Sequence, residues 1–131
     1  MRSIFAAVSL VLATSSLCLV PAYSQTTNET AKGNCKAVSE MCQKTVDYCN
    51  GKKGKYGQAS TINALKDCMD SCQATGQLLG RGSALSARSA AISLDACNEA
   101  AKVCDQYKDD PKMTGCANEC RKAAGNLQKV K

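Results

Sequence analysis

Residues 67–104 read DCMDSCQATGQLLGRGSALSARSAAISLDACNEAAKVC, and they decide the fold. Cys68 and Cys72 stand four residues apart; Cys97 and Cys104 stand seven apart. Both spacings keep to one face of an α-helix, because about 3.6 residues make a turn. Gly80-Arg81-Gly82 ends the first helix, and Ser83 caps the second. So short a link folds the two helices back on each other. Their sulfur-bearing faces then meet inside.

Working outward, the first of these helices runs from about Thr61 to Leu79, with Ser60 as its N-cap. Ile62, Leu65, Cys68, Met69 and Cys72 form its apolar face. The second runs from about Ala84 to Lys108. Upstream, Cys35, Cys42 and Cys49 recur on one stripe of a helix from about Asn34 to Asn50, stopped by Gly51. Residues 51–60 (GKKGKYGQAS) read as a flexible link. Downstream comes Asp109-Asp110-Pro111. An Asp cap followed by proline at the first helical position starts a helix from about Pro111 to Gln128. Met113, Cys116, Cys120 and Leu127 face inward on it.

The cysteines repeat. Cys42-x6-Cys49 then Cys68-x3-Cys72 is followed by Cys97-x6-Cys104 then Cys116-x3-Cys120. Four amphipathic helices in this order predict an all-α fold, an antiparallel four-helix bundle with cysteines lining the interior. The repeat predicts one sulfur cluster per hairpin: Cys42, Cys49, Cys68 and Cys72 in one, Cys97, Cys104, Cys116 and Cys120 in the other. Cys35 has no counterpart in the repeat. It is expected at the open end of the bundle, as an extra metal ligand or an intermolecular bridge in a homo-oligomer.

Residues 1–24 read as an export signal: Arg2, an apolar run from Ile4 to Ala13, and the small-x-small site Ala22-Tyr23-Ser24. Residues 25–33 (QTTNETAKG) read as a disordered leader, and 34–131 as the bundle. The expected destination is the periplasm or the extracellular space, with no membrane attachment after cleavage. Cys18 is discarded with the signal, and nine of the ten cysteines remain.

Composition narrows the chemistry. The 131 residues include no His and no Trp, and the single Phe is Phe5. The bundle core must therefore be built from Ala, a few aliphatics and cysteine. Imidazole bases, His-dependent triads and His-ligated zinc are excluded. There is no CxxC and no clustered carboxylate pair, so no enzyme active site is recognisable. Basic residues (17 Lys+Arg) outnumber acidic ones (11 Asp+Glu), but the two are interspersed. Without an accompanying motif, this balance reads as a solvated surface and not as a nucleic-acid site.

Two readings of the sulfur stand side by side. Cu(I) is soft and prefers thiolate and thioether ligands. Cysteines one turn apart, about 6 Å along the axis, bracket a single ion. Cysteines two turns apart, about 10.5 Å, need partners on a neighbouring helix. The alternative is a disulfide-stapled helical domain with a structural or interaction role, since exported cysteines usually bridge. Antiparallel pairing would then join Cys42–Cys72, Cys49–Cys68, Cys97–Cys120 and Cys104–Cys116. The unequal rungs fit the Cα separations of a disulfide, about 4.4–6.8 Å, only with helix tilt.

Four pieces carry a family resemblance: DCMDSC (67–72), QLLGRGS (77–83), ACNEAAKVC (96–104) and CANECRKAA (116–124). In these the chain resembles the four-helix-bundle copper-binding family that includes the bacterial copper storage proteins. It is similar to a cysteine-depleted member: Ala100 stands where the family commonly has Cys, and of the His and Met residues that often guard the family's copper entrance only Met41, Met69 and Met113 remain. The resemblance implies an exported protein that sequesters or buffers Cu(I) inside the bundle. Its ligands would be Cys35, Cys42, Cys49, Cys68, Cys72, Cys97, Cys104, Cys116 and Cys120.

Overall fold

The computed structural model describes residues 22–131. Residues 1–21, most of the expected export signal, lie outside them. Four helices make up the fold: α1 (Ala22–Lys52), α2 (Ala59–Gly80), α3 (Ser86–Cys104) and α4 (Pro111–Leu127). Each packs against its neighbours in sequence, and α4 closes the square against α1. None of the four is long and apolar enough to cross a membrane.

The stop signals act as their chemistry dictates. After α2, Gly82 takes a left-handed φ of 61°. The Gly82 N–H then donates to the Leu79 carbonyl and the Ser83 N–H to the Leu78 carbonyl, at 3.2 and 2.9 Å. This double bond pattern satisfies carbonyls that the helix end leaves unpaired. At the start of α4, Asp110 Oδ1 accepts from the backbone N–H of Lys112 (3.0 Å) and Met113 (3.5 Å), with Pro111 at the first position.

Other ends differ from expectation. α2 begins at Ala59, and its N-cap is Gln58 with no side-chain bond, so Ser60 is not the cap. Ser83 Oγ accepts from the Leu85 N–H at 3.2 Å, capping a turn that precedes α3. α3 ends at Cys104, and a 3-10 turn continues it over Asp105–Tyr107. The link after α1 holds a 3-10 turn, Gly54–Gly57, whose Tyr56 stacks on Tyr107 at 4.6 Å between ring centroids.

The largest difference is at the start of α1. Residues 25–33, expected as a disordered leader, are helical. Local bonds carry this polar stretch: Thr26 and Thr27 hydroxyls donate to carbonyls four residues back, and Lys32 pairs with Glu29 at 2.8 Å. Ala31, fully buried, anchors it to the core. A single buried alanine is too weak a periodic signal to read from sequence.

Candidate metal centre

All nine cysteines of the described chain are buried, none more than 1 % exposed. Each helix places them by the same rule: one or two turns between sulfurs keeps them on its inner face. Antiparallel packing then sets which sulfurs share a level along the axis.

Those levels cross the hairpins. One trio joins Cys42 of α1 to Cys116 and Cys120 of α4; the other joins Cys97 of α3 to Cys68 and Cys72 of α2. Within each trio the sulfurs lie inside 4.8 Å of one another. Cys68 and Cys72 approach Cys97 to 3.2 and 3.5 Å, and Cys42 lies 4.0 Å from Cys120. The expected grouping of one cluster per hairpin is therefore corrected. The reason is geometric: a seven-residue step spans about 10.5 Å, so Cys42 and Cys49 cannot both sit level with a four-residue pair spanning about 6 Å.

The remaining cysteines extend the trios into one file. Cys35 neighbours Cys72 at one end. Cys68 neighbours both Cys42 and Cys120, which joins the two trios. Cys104 neighbours Cys116. Cys49 closes the file, its thiol donating to the Met113 thioether at 3.7 Å. Cys35 is at an end of the sulfur file, but it is buried and α1 continues past it to Ala22, so it does not sit at an open end of the bundle as expected. The four disulfides of the stapled alternative are not formed, and the nine cysteines among the described residues are free thiols.

The thiols hydrogen-bond to one another, and this shifts their pKa values in opposite directions. Hydrogen bonding to Cys35, Cys68 and Cys97, with the Ser93 hydroxyl beside it, lowers the pKa of Cys72 against the effect of burial. Cys104, Cys120 and Cys42 do the same for Cys116, with Thr45 beside it. Their neighbours are pushed up in return. Cys35 and Cys104 are raised by their bonds to Cys72 and Cys116 and then by burial, and Cys42 by its bonds to Cys116 and Cys120. Cys49 is raised mainly by burial. Cys72 and Cys116 are thus the thiols whose pKa is lowered, one in each half of the file.

Ser93 and Thr45 were not foreseen. They sit four residues before Cys97 and three after Cys42, on the cysteine stripes, so helical spacing alone could have found them. Ser93 also bonds Thr75 Oγ1 at 2.8 Å, and Thr75 bonds the half-buried Ser89 at 2.5 Å.

This arrangement suits a soft cation. A metal–thiolate bond of about 2.3 Å places two sulfurs on one ion roughly 4.0–4.6 Å apart, from trigonal to linear coordination. Cys42 and Cys120 already stand at that separation. The Cys68–Cys72–Cys97 trio would open by about 1 Å. The family profile described as "Copper storage protein" matches residues 24–131. The chain belongs to the copper storage protein family. No curated protein and no solved structure matches it. In this family member, cysteine clusters able to hold metal occupy the middle of the bundle. Ala100, fully buried between Cys97 and Cys104 on α3, gives the interior there a methyl group in place of a ligand.

Proposed function

We propose that this copper storage family member sequesters or buffers Cu(I), at low stoichiometry, through the thiolates of Cys35, Cys42, Cys49, Cys68, Cys72, Cys97, Cys104, Cys116 and Cys120. One observation carries the reading: two buried sulfur trios are joined, with the other three cysteines, into a single file through the core. The ligand set is thiolate with one thioether, Met113, and it contains no imidazole. Soft donors of this kind select Cu(I) over harder cations. The family assignment supports a binding and storage role over catalysis. The pattern of residues 1–24 supports export, to the periplasm or an extracellular space.

The chemistry is exchange of protons for metal. Hydrogen bonds from neighbouring groups favour the thiolate form of Cys72 and Cys116, one in each trio. An arriving ion then displaces protons from their neighbours, because a bound cation lowers a thiol's pKa. Burial excludes water and competing hard ligands. Titrating the reduced protein with Cu(I) against a colorimetric chelator tests the proposal. The first two equivalents should bind tightly, one per trio, and binding should release protons.

A further inference from the structure

The sulfur file is closed at both ends. Beyond Cys49 and Met113, the Tyr48 and Tyr56 hydroxyls both donate to Asp110 Oδ2, at 2.7 and 2.9 Å, and Tyr107 stacks on Tyr56. At the other end, Ala31 one turn before Cys35 on α1, Leu79 two turns after Cys72 on α2 and Leu127 two turns after Cys120 on α4 are all buried. The flank between α1 and α2 is different. A groove of about 580 Å³ runs there, with Cys72 in its wall and the half-buried Met69 beside it. Four other surface grooves have no sulfur in their walls.

Small residues open this groove. Ser39 faces it from α1 and Gly76 from α2. A mid-helix glycine costs about 1 kcal/mol relative to alanine. Nothing in the packing demands it here: an added Cβ would meet Cys35 Cβ at an ordinary 3.6 Å, and the backbone φ is not left-handed. The rim is basic. Lys36 and Lys44 are exposed on it, Lys32 is held by Glu29, and Glu40 is the one acidic side chain lining the groove. Cu(I) does not persist as a bare aqueous ion, so it must arrive bound to something. A basic rim over soft donors fits a small complex of negative charge.

We propose that the α1–α2 groove is the loading site of the bundle, taking Cu(I) from an anionic small-molecule complex held by Lys36 and Lys44. The ion passes to the Met69 thioether and then to Cys72. The bond from copper to the chelator breaks as one to Met69 Sδ forms; that bond then breaks as the bond from copper to Cys72 Sγ forms, and the thiol proton leaves on the freed chelator. Copper stays Cu(I) throughout. This route rests on the Cu(I)-binding reading above, so its test separates rate from capacity.

Stopped-flow loading is followed from two coloured probes, the anionic Cu(I)–bicinchoninate complex and the cationic Cu(I)–neocuproine complex. Gly76→Leu, which fills the groove, should slow loading from both by on the order of tenfold, while the final copper content stays at the wild-type value. Lys36→Glu/Lys44→Glu should slow loading from bicinchoninate alone, and less so at high salt. A copper-free arm uses brief alkylation of the reduced protein with iodoacetate, whose carbon replaces iodide on the attacking thiolate. Cys72, the one cysteine in the groove wall, should be modified first. Wild-type loading rates in both variants, or first labelling at Cys49 or Cys104, would overturn the proposal. If Gly76→Leu fails to fold, the charge-reversed variant and the labelling order decide. If the wild type takes up no copper, the binding reading fails, and the labelling order still judges the groove.

Discussion

Cys42 on α1 and Cys120 on α4 bring their sulfurs to 4.0 Å across 78 residues of sequence. The first and last helices therefore share a ligand group, and so do the middle two. This makes the order of ligand loss predictable. In a Cys68→Ser/Cys72→Ser background, adding Cys97→Ser should cost little further Cu(I), because the trio is already broken. Adding Cys42→Ser should remove most of what remains. Grouping by hairpin would give the reverse, and equilibrium dialysis of the two triple variants tells them apart.

Asp110 ties the tyrosine end together. It caps α4, accepts from Tyr48 and Tyr56, and faces Lys52 at 3.6 Å. The Tyr48 hydroxyl first, with Tyr56 and the N–H groups of Lys112 and Met113, holds its pKa at about 2, below the ordinary 3.8. A depressed carboxyl pKa contributes stability that is present above the unfolded value and is lost as pH falls through the folded one. The loss should therefore run from about pH 4 to about pH 2. Asp110→Asn should remove that part of the acid dependence. Asp110→Ala should cost about 1–2 kcal/mol at pH 7 by urea denaturation. An Asp110→Asn profile identical to wild type would contradict this role.

Thr75 is fully buried and holds Ser89 and Ser93 between α2 and α3. Thr75→Val keeps the shape and removes the shared hydroxyl. Loss of the Thr75 bond, which leaves buried Ser93 with Cys72 alone as partner, should make this change cost about 1 kcal/mol. Equilibrium unfolding measures it, and a change under half a kilocalorie would mean that the network contributes little.

Local signals carried most of the architecture. Gly82 and Asp110-Pro111 mark helix ends because backbone conformation and capping are decided within a few residues. The inward cysteines follow from helical spacing. Which sulfurs meet was not legible, because cross-helix level depends on how whole helices slide past each other. Cys97 lies seven residues from Cys104, yet it meets the α2 pair while Cys104 neighbours Cys116 on α4. The helical start at Ala22 was hidden for a related reason: the polar stretch before Cys35 shows its one core contact, Ala31, only after folding.

The most direct test is a thiol count on freshly purified protein, followed by Cu(I) titration of the reduced form at several pH values. The account predicts nine reactive thiols in the unfolded bundle and tight Cu(I) uptake by the folded, reduced form. Affinity should fall as pH falls, because raised thiols must lose protons to bind. Oxidation to disulfides should abolish uptake. About one free thiol, with no Cu(I) uptake after full reduction, would contradict the account.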